Sequence, residues 1–308
     1  MNISFRQLRL FKALAETGSV TAAARVMHVT QPTASMQLKE LSNAVGMPLF
    51  EFVGKKIYLT EAGKTLALSA QSIAQEWESF EQSIAAMNGL KTGALRIAVV
   101  STAKYFIPGL VGSFCKEYPN VDIALDVLNR DAVVARLENN KDDIVIMTQP
   151  PTHLDIEDEV FLDNPLVCIA AKDHPFTNKK INLQQLANEY FVMREIGSGT
   201  RMSCDMFFRQ VKMTPKIRLT LGSNEAIKHS VGAGLGLSIV SIHSLNEHDL
   251  KDMVSILDLD EFPIKSKWHI VTLKGRKLSP IAKIFHDHLL NKSLEINSNA
   301  KQMTYSET

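Results

Sequence analysis

The chain has 308 residues, of which 45% are hydrophobic, and a formal net charge of +1, the profile of a globular protein with two or more domains. Its three cysteines, Cys115, Cys168 and Cys204, form no CxxC pair, which argues against a disulfide framework or a zinc site and favours a reducing compartment. The N-terminus carries no secretory signal, and no segment reaches the roughly 18 apolar residues of a membrane span. We therefore expect a cytoplasmic protein with no membrane partner.

The near-zero total charge conceals an asymmetry along the chain. Residues 1–65 contain eight Lys and Arg residues against four acidic ones, whereas the rest of the chain is net negative. A basic front on an otherwise acidic chain favours a polyanionic partner for the front alone.

Short helices are predicted at the front. The spacing of Phe5, Leu8, Phe11 and Leu14 gives one buried helical face, and Gly18 ends that helix. Ser19 can cap a second helix, "VTAAARVM". Thr30 can cap a third helix, whose inward face carries Ala34, Leu38, Leu41 and Val45. Two short helices joined by a tight turn form a helix-turn-helix.

A hairpin follows the third helix. The stretch "LFEFVGKKIYL" reads as two short strands around residues 53–56, with Lys55 and Lys56 near the tip. This arrangement predicts a wing, so residues 1–60 are expected to form a winged helix-turn-helix.

Residues 61–90 are predicted to form one long helix, capped by Thr60 and ended by Gly89. Its apolar residues are spaced 4, 3, 4, 3, 4, 3, which is the seam of a coiled coil over three heptads: Leu66, Ala70, Ile73, Trp77, Phe80, Ile84 and Met87. We interpret this as a dimerisation helix followed by a hinge, "GLKTG". The alternative is a long helix packed on its own domain.

From residue 91 the pattern changes to strands alternating with helices, which predicts an α/β region to residue 291 with largely parallel strands. A second unit begins near Pro165, giving one lobe at about 94–164 and 268–291 and another at about 165–267. The cleft between two such lobes suits a small ligand. The last helix is expected at about 280–290, and residues 292–308 are expected to be a polar, disordered tail.

This order of elements, with "GSVTAAARVMHVTQPTASMQLKEL" and "YLTEAGK" at the front, resembles the LysR-type transcriptional regulators. Within that family, "VSTAKYFIPGLVGSF", "REIGSGTR" and "GSNEAIKHSV" are similar to the subgroup that controls carbon-fixation (Calvin cycle) operons. The resemblance implies a periplasmic-binding-protein-like effector domain, double-stranded DNA as a partner, and no enzymatic activity. RNA polymerase is a further candidate partner.

The third helix is the predicted recognition helix. With its apolar stripe inward, the 100° step per residue turns its polar face and Met36 toward the major groove. The candidate DNA-binding residues are Arg25, Thr30, Gln31, Pro32, Thr33, Ser35, Met36, Lys39, Lys55 and Lys56. A solvated helix with one exposed methionine is the alternative. The sequence departs from the family at Met36, where many members carry arginine, and at Ser42, where glutamate is usual.

The expected effector site lies between the lobes. Ser101, Thr102 and Ala103 follow the first strand of this region, where backbone N–H groups and hydroxyls converge; ordinary helix capping is the alternative. The resemblance assigns these residues to the effector-binding loop, and the other candidates are Asn129, Arg130, Gly199, Thr200, Arg201, Asn224, Glu225 and Lys228. Arg201 and Lys228 favour an anionic metabolite, with affinity expected to depend on Arg201. Gln149 stands where the subgroup leads us to expect an arginine.

Enzymatic motifs are weak. "VGAGLG" follows a helix and precedes a strand, the reverse of the order that a dinucleotide site requires, and "GSG" lacks the spacing of a nucleophile elbow. We predict a regulator with no cofactor and no metal, acting as a homodimer or homotetramer on a pseudo-palindromic promoter site. The alternative is a two-lobed solute-binding or enzymatic domain with a basic oligomerisation segment. Salt-dependent binding to promoter DNA would separate the two.

Overall fold

The structure is a computed structural model that describes residues 2–54, 56–88 and 91–305, with side chains as far as Ser293. The chain divides into an N-terminal unit, which runs to Asn88 and also includes Asn139–Lys141, and a larger C-terminal unit. Each unit has its own hydrophobic core.

Three helices open the N-terminal unit: α1 (Phe5–Thr17), α2 (Val20–Val26) and α3 (Gln31–Val45). Ser19 and Thr30 cap α2 and α3 through their side chains, as predicted. Both α1 and α3 end in a left-handed glycine, Gly18 and Gly46. The predicted inward stripe of α3 is confirmed, because Ala34, Leu38 and Leu41 are buried and pack with α1 and α2. The helix-turn-helix is therefore present.

The wing consists of β1 (Phe50–Val53) and β2 (Lys56–Leu59), which pair antiparallel with Val53 opposite Lys56. The following helix, α4, runs from Glu61 to Met87 and is capped by Thr60. Thr60 also donates to the Pro48 carbonyl oxygen at 2.7 Å. A Cβ at Gly63 would lie 1.8 Å from the Leu49 carbonyl oxygen, so only glycine lets the first turn of α4 approach the chain before the wing this closely.

The apolar seam of α4 is divided between core and surface. Leu66 packs against the core of the N-terminal unit, and Ala70 is buried. The later members of the seam are 42–81% exposed: Ile73, Trp77, Phe80, Ile84 and Met87. Gln82, which the heptad pattern places on a solvated face, is buried instead. Gly89 and the start of the predicted hinge lie outside the described residues.

The C-terminal unit begins with β3 (Gly93–Val100), a 3-10 turn (Ser101–Tyr105), α5 (Ile107–Glu117), β4 (Val121–Leu128), α6 (Arg130–Glu138), β5 (Ile144–Met147) and β6 (Ile156–Asp163). It continues with β7 (Leu166–Ala171), β8 (Lys180–Ile181), α7 (Leu183–Leu186), β9 (Tyr190–Arg194), α8 (Gly199–Gln210), β10 (Lys216–Leu221), α9 (Asn224–Gly232), β11 (Ser238–Ser241), β12 (Val254–Ile256) and β13 (Asp258–Leu259). It ends with β14 (Lys267–Leu273) and α10 (Pro280–Tyr305).

These strands build two α/β lobes. The first lobe is a five-stranded sheet in the order β4-β3-β5-β14-β6, in which β4, β3 and β5 are parallel and β14 runs antiparallel to both neighbours. In the second lobe β7 lies antiparallel between β11 and β12, while β9 and β10 pair in parallel. The sheets are therefore more mixed than the largely parallel arrangement predicted. The expected two-lobed α/β fold is present.

The last helix is longer than predicted. It extends to Tyr305 instead of ending near residue 290, and so includes most of the segment predicted to be a disordered tail. Residues 291–305 contain no glycine or proline, so nothing in their sequence stops a helix once it has begun. Among the described residues, no helix is long and apolar enough to cross a membrane.

Candidate functional site

The N-terminal unit presents the outer face of α3. Gln31, Pro32, Ser35, Met36 and Lys39 are all exposed on this face, with 56% of Met36 accessible. Gln31 Nε2 donates to Ser35 Oγ at 3.2 Å, so these two side chains lie side by side one helical turn apart. The outward surface predicted from the helical spacing is present.

The remaining candidates of this unit lie at the start of α3, on α2 and on the wing. Thr33 is half-buried, and its hydroxyl lies 2.8 Å from that of the cap residue Thr30. Arg25 on α2 and Lys56 on the wing are exposed. Lys55 lies outside the described residues. The unit thus combines exposed cations with a polar helix face that carries a methionine, groups suited to phosphate contacts and to base edges.

A small pocket lies between the two lobes of the C-terminal unit, where β3, β5 and β9 end. The carboxyl ends of neighbouring strands are where α/β proteins commonly bind ligands. The pocket is lined by Val100, Ser101, Thr102, Arg130, Thr148, Arg194, Ser198, Gly199 and Thr200. Five of these residues were predicted from the sequence: Ser101, Thr102, Arg130, Gly199 and Thr200.

Hydroxyl groups dominate the pocket. Thr148, Ser198 and Thr200 are each more than nine-tenths buried, and within the described part of the chain their side chains make no hydrogen bond to protein. A Cβ at Gly199 would lie 2.5 Å from Thr148 Oγ1, so the glycine allows this hydroxyl to approach the start of α8. Gly199 also begins α8, whose N-terminal N–H groups carry partial positive charge. These donors and this dipole suit an anion.

Two arginines line the same pocket. Arg194, at the end of β9, is 3% exposed and hydrogen-bonds to Ser101, Thr102, Asn224 and Glu195. Arg130 Nε donates to the Gln149 carbonyl oxygen at 2.9 Å. The Gln149 side chain donates to Ser203 Oγ at 3.1 Å, so its amide is already engaged within the protein. Arg130 thus brings a cation to the pocket.

Glu195 is the acidic group beside these arginines. Partial burial would raise the pKa of its carboxyl, but hydrogen bonds from Arg194 and the charge of that guanidinium outweigh the effect and hold the pKa below its usual range. Glu195 is therefore an anion at neutral pH, paired with Arg194 in the folded lobe.

Several predicted effector residues have other roles in the structure. Arg201 Nε donates to Asp205, and its Nη1 donates to the Arg194 carbonyl oxygen at 2.9 Å, so Arg201 does not line the pocket. Lys228 is buried in an ion pair with Asp249 at 2.6 Å. The exposed side chain of Asn129 caps α6 by accepting from the Ala132 N–H. Ala103 is buried in the core of the first lobe.

Asn224 and Glu225 join the two lobes behind the pocket. Asn224 bonds both Arg194 and Thr102. The Glu225 carboxylate accepts from Tyr105 at 2.7 Å and from Lys104 at 2.9 Å. Burial would raise the pKa of this carboxyl, but the hydrogen bonds from Tyr105 and Lys104 outweigh it and lower the pKa to about 2. These residues hold the pocket wall together without lining it.

Sequence reasoning did not identify Val100, Thr148, Arg194 and Ser198. Arg194 carried a usable signal: it is a charged residue at the end of the apolar strand "YFVM", directly before the glycine-rich "EIGSGT". Within the described residues, no group of three or more His, Cys, Asp or Glu side chains is placed to hold a metal ion.

The fold and the two surfaces define a class: a helix-turn-helix protein carrying a two-lobed α/β domain of the kind that binds small molecules. The family model described as "Bacterial regulatory helix-turn-helix protein, lysR family" matches residues 5–64, and that of the "LysR substrate binding domain" matches residues 88–293. The chain belongs to the LysR family of DNA-binding transcriptional regulators, and it is not an enzyme.

Its relatives include carbon-fixation regulators. The chain is 43% identical to the HTH-type transcriptional activator CmpR of Synechocystis sp., over 94% of this chain and 95% of that protein. It is 42% identical to the RuBisCO operon transcriptional regulator of Acidithiobacillus ferrooxidans, over 95% of each.

Solved structures agree with this assignment. The regulatory domain of CcmR from Synechocystis PCC6803, in complex with 2-PG, is 44% identical with a TM-score of 0.63, covering 65% of this chain and 97% of that one. A full-length OxyR variant from Pseudomonas aeruginosa has a TM-score of 0.78 at 20% identity, covering 95% of both chains, and supports the fold.

Proposed function

We propose that this regulator controls genes of carbon metabolism in response to a small anionic metabolite, bound in the pocket between the lobes of its C-terminal unit. The named regulators of RuBisCO operons among its relatives support the target pathway. The CcmR domain supports the ligand class, since 2-PG, 2-phosphoglycolate, carries both a phosphate and a carboxylate.

The observation that carries this proposal is a set of three hydroxyls that line the pocket and make no protein hydrogen bond in the described chain, those of Thr148, Ser198 and Thr200. The oxygens of these hydroxyls are accessible from the pocket, so three free hydroxyls at a helix N-terminus can donate to a ligand that accepts hydrogen bonds. Arg130 adds a positive charge at the same place. Together these groups favour a phosphate or carboxylate over a neutral ligand.

The proposal extends to the assembly. We propose a cytoplasmic dimer or dimer of dimers, joined through the exposed part of the α4 seam, that reads a pseudo-palindromic site with two copies of α3. The proposed organisation is a winged helix-turn-helix at 1–60, a linker helix at 61–90 and an effector domain at 91–291, with RNA polymerase as a further partner. Effector binding would shift the lobes and thereby bias the DNA-bound state.

Arg130→Gln tests the ligand class. Isothermal titration calorimetry with 2-phosphoglycolate should show micromolar to millimolar binding by the wild type, and the variant should bind at least about 10-fold more weakly because a charge-assisted contact is lost. Arg209→Gln is the matched control: the same charge is removed from an exposed residue in the last turn of α8, so affinity should not change. Equal affinity of Arg130→Gln and the wild type would refute the assignment of this pocket.

A further inference from the structure

Arg194 is the most heavily hydrogen-bonded side chain of the pocket. Its Nε and Nη2 donate to the two carboxylate oxygens of Glu195 at 2.7 and 2.8 Å. Nη2 also donates to Ser101 Oγ at 3.1 Å, and Nη1 donates to Asn224 Oδ1 at 3.0 Å and Thr102 Oγ1 at 3.4 Å. A guanidinium has five N–H groups. All five are therefore engaged within the protein.

These bonds determine how the two hydroxyls can act. A hydroxyl has one hydrogen to donate and two lone pairs to accept with. Thr102 Oγ1 accepts from Arg194 and also from Asn224 Nδ2, at 3.2 Å, so both lone pairs are occupied. Within the described chain, neither Ser101 nor Thr102 donates its hydroxyl hydrogen to a protein acceptor. Both hydrogens are therefore available to a ligand in the pocket.

Glu195 neutralises the positive charge of Arg194. Both oxygens of its carboxylate accept hydrogen bonds from the Arg194 guanidinium, the shorter at 2.7 Å. Bidentate pairs of this kind are strong. The arginine side chain is 2% exposed, whereas that of Glu195 is 26% exposed, so the acid lies on the solvent side of the pair. An anion that enters the pocket meets a guanidinium already neutralised and already saturated.

Arg130 is different. Its Nε has an acceptor in the Gln149 carbonyl, and its Nη1 lies 3.9 Å from the largely exposed Asp131 carboxylate, too far for a hydrogen bond. No other hydrogen bond of its guanidinium occurs within the described residues. Arg130 can therefore donate directly to a ligand while Arg194 cannot.

We propose that Arg194 is a positioning residue for the anion: it acts through the hydroxyls of Ser101 and Thr102, which it turns into donors toward the pocket, while Glu195 keeps its guanidinium from the ligand. This inference rests on the proposed function. The pocket then binds its ligand through hydroxyl hydrogen bonds and through Arg130. Its selectivity therefore depends more on the positions of these donors than on the total charge of the ligand.

A double-mutant cycle with calorimetry on the full-length protein tests this, with 2-phosphoglycolate and inorganic phosphate as probes. Arg194→Lys keeps the charge but cannot hold both hydroxyls, so it should weaken 2-phosphoglycolate binding about 10-fold in the wild-type background. In the Ser101→Ala, Thr102→Val background, Arg194→Lys should weaken 2-phosphoglycolate binding less than about 2-fold. Equal costs in the two backgrounds would mean that Arg194 contacts the ligand itself, and would overturn the inference.

Glu195→Gln provides an independent readout that does not require replacing the buried arginine. It removes one of the two acceptor oxygens that face Arg194 and also a negative charge, so both probes should bind several-fold more tightly, and the preference for 2-phosphoglycolate over phosphate should decrease. Unchanged affinities would overturn the inference even if Arg194→Lys failed to fold. If the wild type binds neither probe, both the proposed function and the inference fail. If the wild type binds, but Arg194→Lys weakens binding equally in both backgrounds, only the inference fails.

Discussion

At the scale of single residues, Arg201 was predicted to bind the effector but does not line the pocket, whereas Arg194, seven positions earlier and not predicted, does. Arg201 is in the first turn of α8. Its guanidinium pairs with Asp205, which lies one turn further along the same helix. Arg194 ends a buried strand and pairs with Glu195, the next residue along the chain, while its remaining N–H groups reach Ser101 and Thr102 of the other lobe. An i,i+4 acid is a visible sequence signal that the first arginine is already paired.

Met36 is exposed on the proposed DNA-reading face of α3, where the family resemblance leads us to expect an arginine. We predict that Met36→Arg strengthens binding to all DNA, because an added guanidinium contacts phosphate or guanine, and that site preference decreases. Fluorescence anisotropy with operator and random duplexes should show a salt slope steeper by about 0.9 if one phosphate contact is gained.

Met47→Arg is the control for this change. Met47 is similarly exposed but lies beyond the end of α3, so the same charge there should alter general affinity without reducing preference. A Met36→Arg protein with wild-type affinity and preference would show that this position does not face DNA.

At the scale of elements, capping and periodicity predicted the N-terminal unit well. Ser19, Thr30 and Thr60 each bond an N–H of the helix that follows, which fixes where the helices begin. In the C-terminal unit β6 was not predicted, because its sequence "IEDEVFLD" carries acidic residues throughout. The strand lies at the edge of its sheet beyond β14, where exposed charges are tolerated and discourage further pairing.

The exposed end of the α4 seam leads to a prediction about assembly. Ile84→Glu places a charge in the proposed dimer contact, and we expect it to shift the protein toward monomer in sedimentation velocity at micromolar concentration, because burying an unpaired carboxylate is costly. Ala86→Glu adds the same charge on the opposite side of the helix and should leave the assembly intact. An unchanged sedimentation coefficient for Ile84→Glu would exclude the seam as the contact.

At the scale of the whole molecule, the two lobes of the C-terminal unit are joined where β6 leads into β7. His243 lies at this crossover, with its Nε2 2.8 Å from the Asp163 carbonyl oxygen and its ring 5.4 Å from that of Phe106. Burial lowers the pKa of His243 below its ordinary value, and the carbonyl contact only partly offsets this. The folded protein thus favours a neutral imidazole that donates to Asp163.

This histidine makes stability depend on pH. Because the folded-state pKa is depressed, the unfolded chain binds a proton first as pH falls, so the contribution of His243 is complete above about pH 6.5 and decreases below it. Thermal unfolding from pH 7.5 to 5.5 should show a smaller loss of Tm for His243→Gln than for the wild type. His153→Gln, which removes an exposed imidazole, should behave like the wild type. Identical pH profiles for all three proteins would contradict the role of His243.

The sequence by itself determined the helix-turn-helix, the wing, the long helix and the alternation of strands and helices, because caps, apolar spacing and turn residues act over a few positions. It also marked Ser101, Thr102 and the glycine turn before α8, which line one pocket in the structure. Only the tertiary structure decided that Arg194 joins those hydroxyls, that Lys228 pairs with Asp249 and that the seam of α4 is part core and part surface. These outcomes depend on partners up to 93 residues away along the chain, and local pattern contains no information about which distant group satisfies a buried charge.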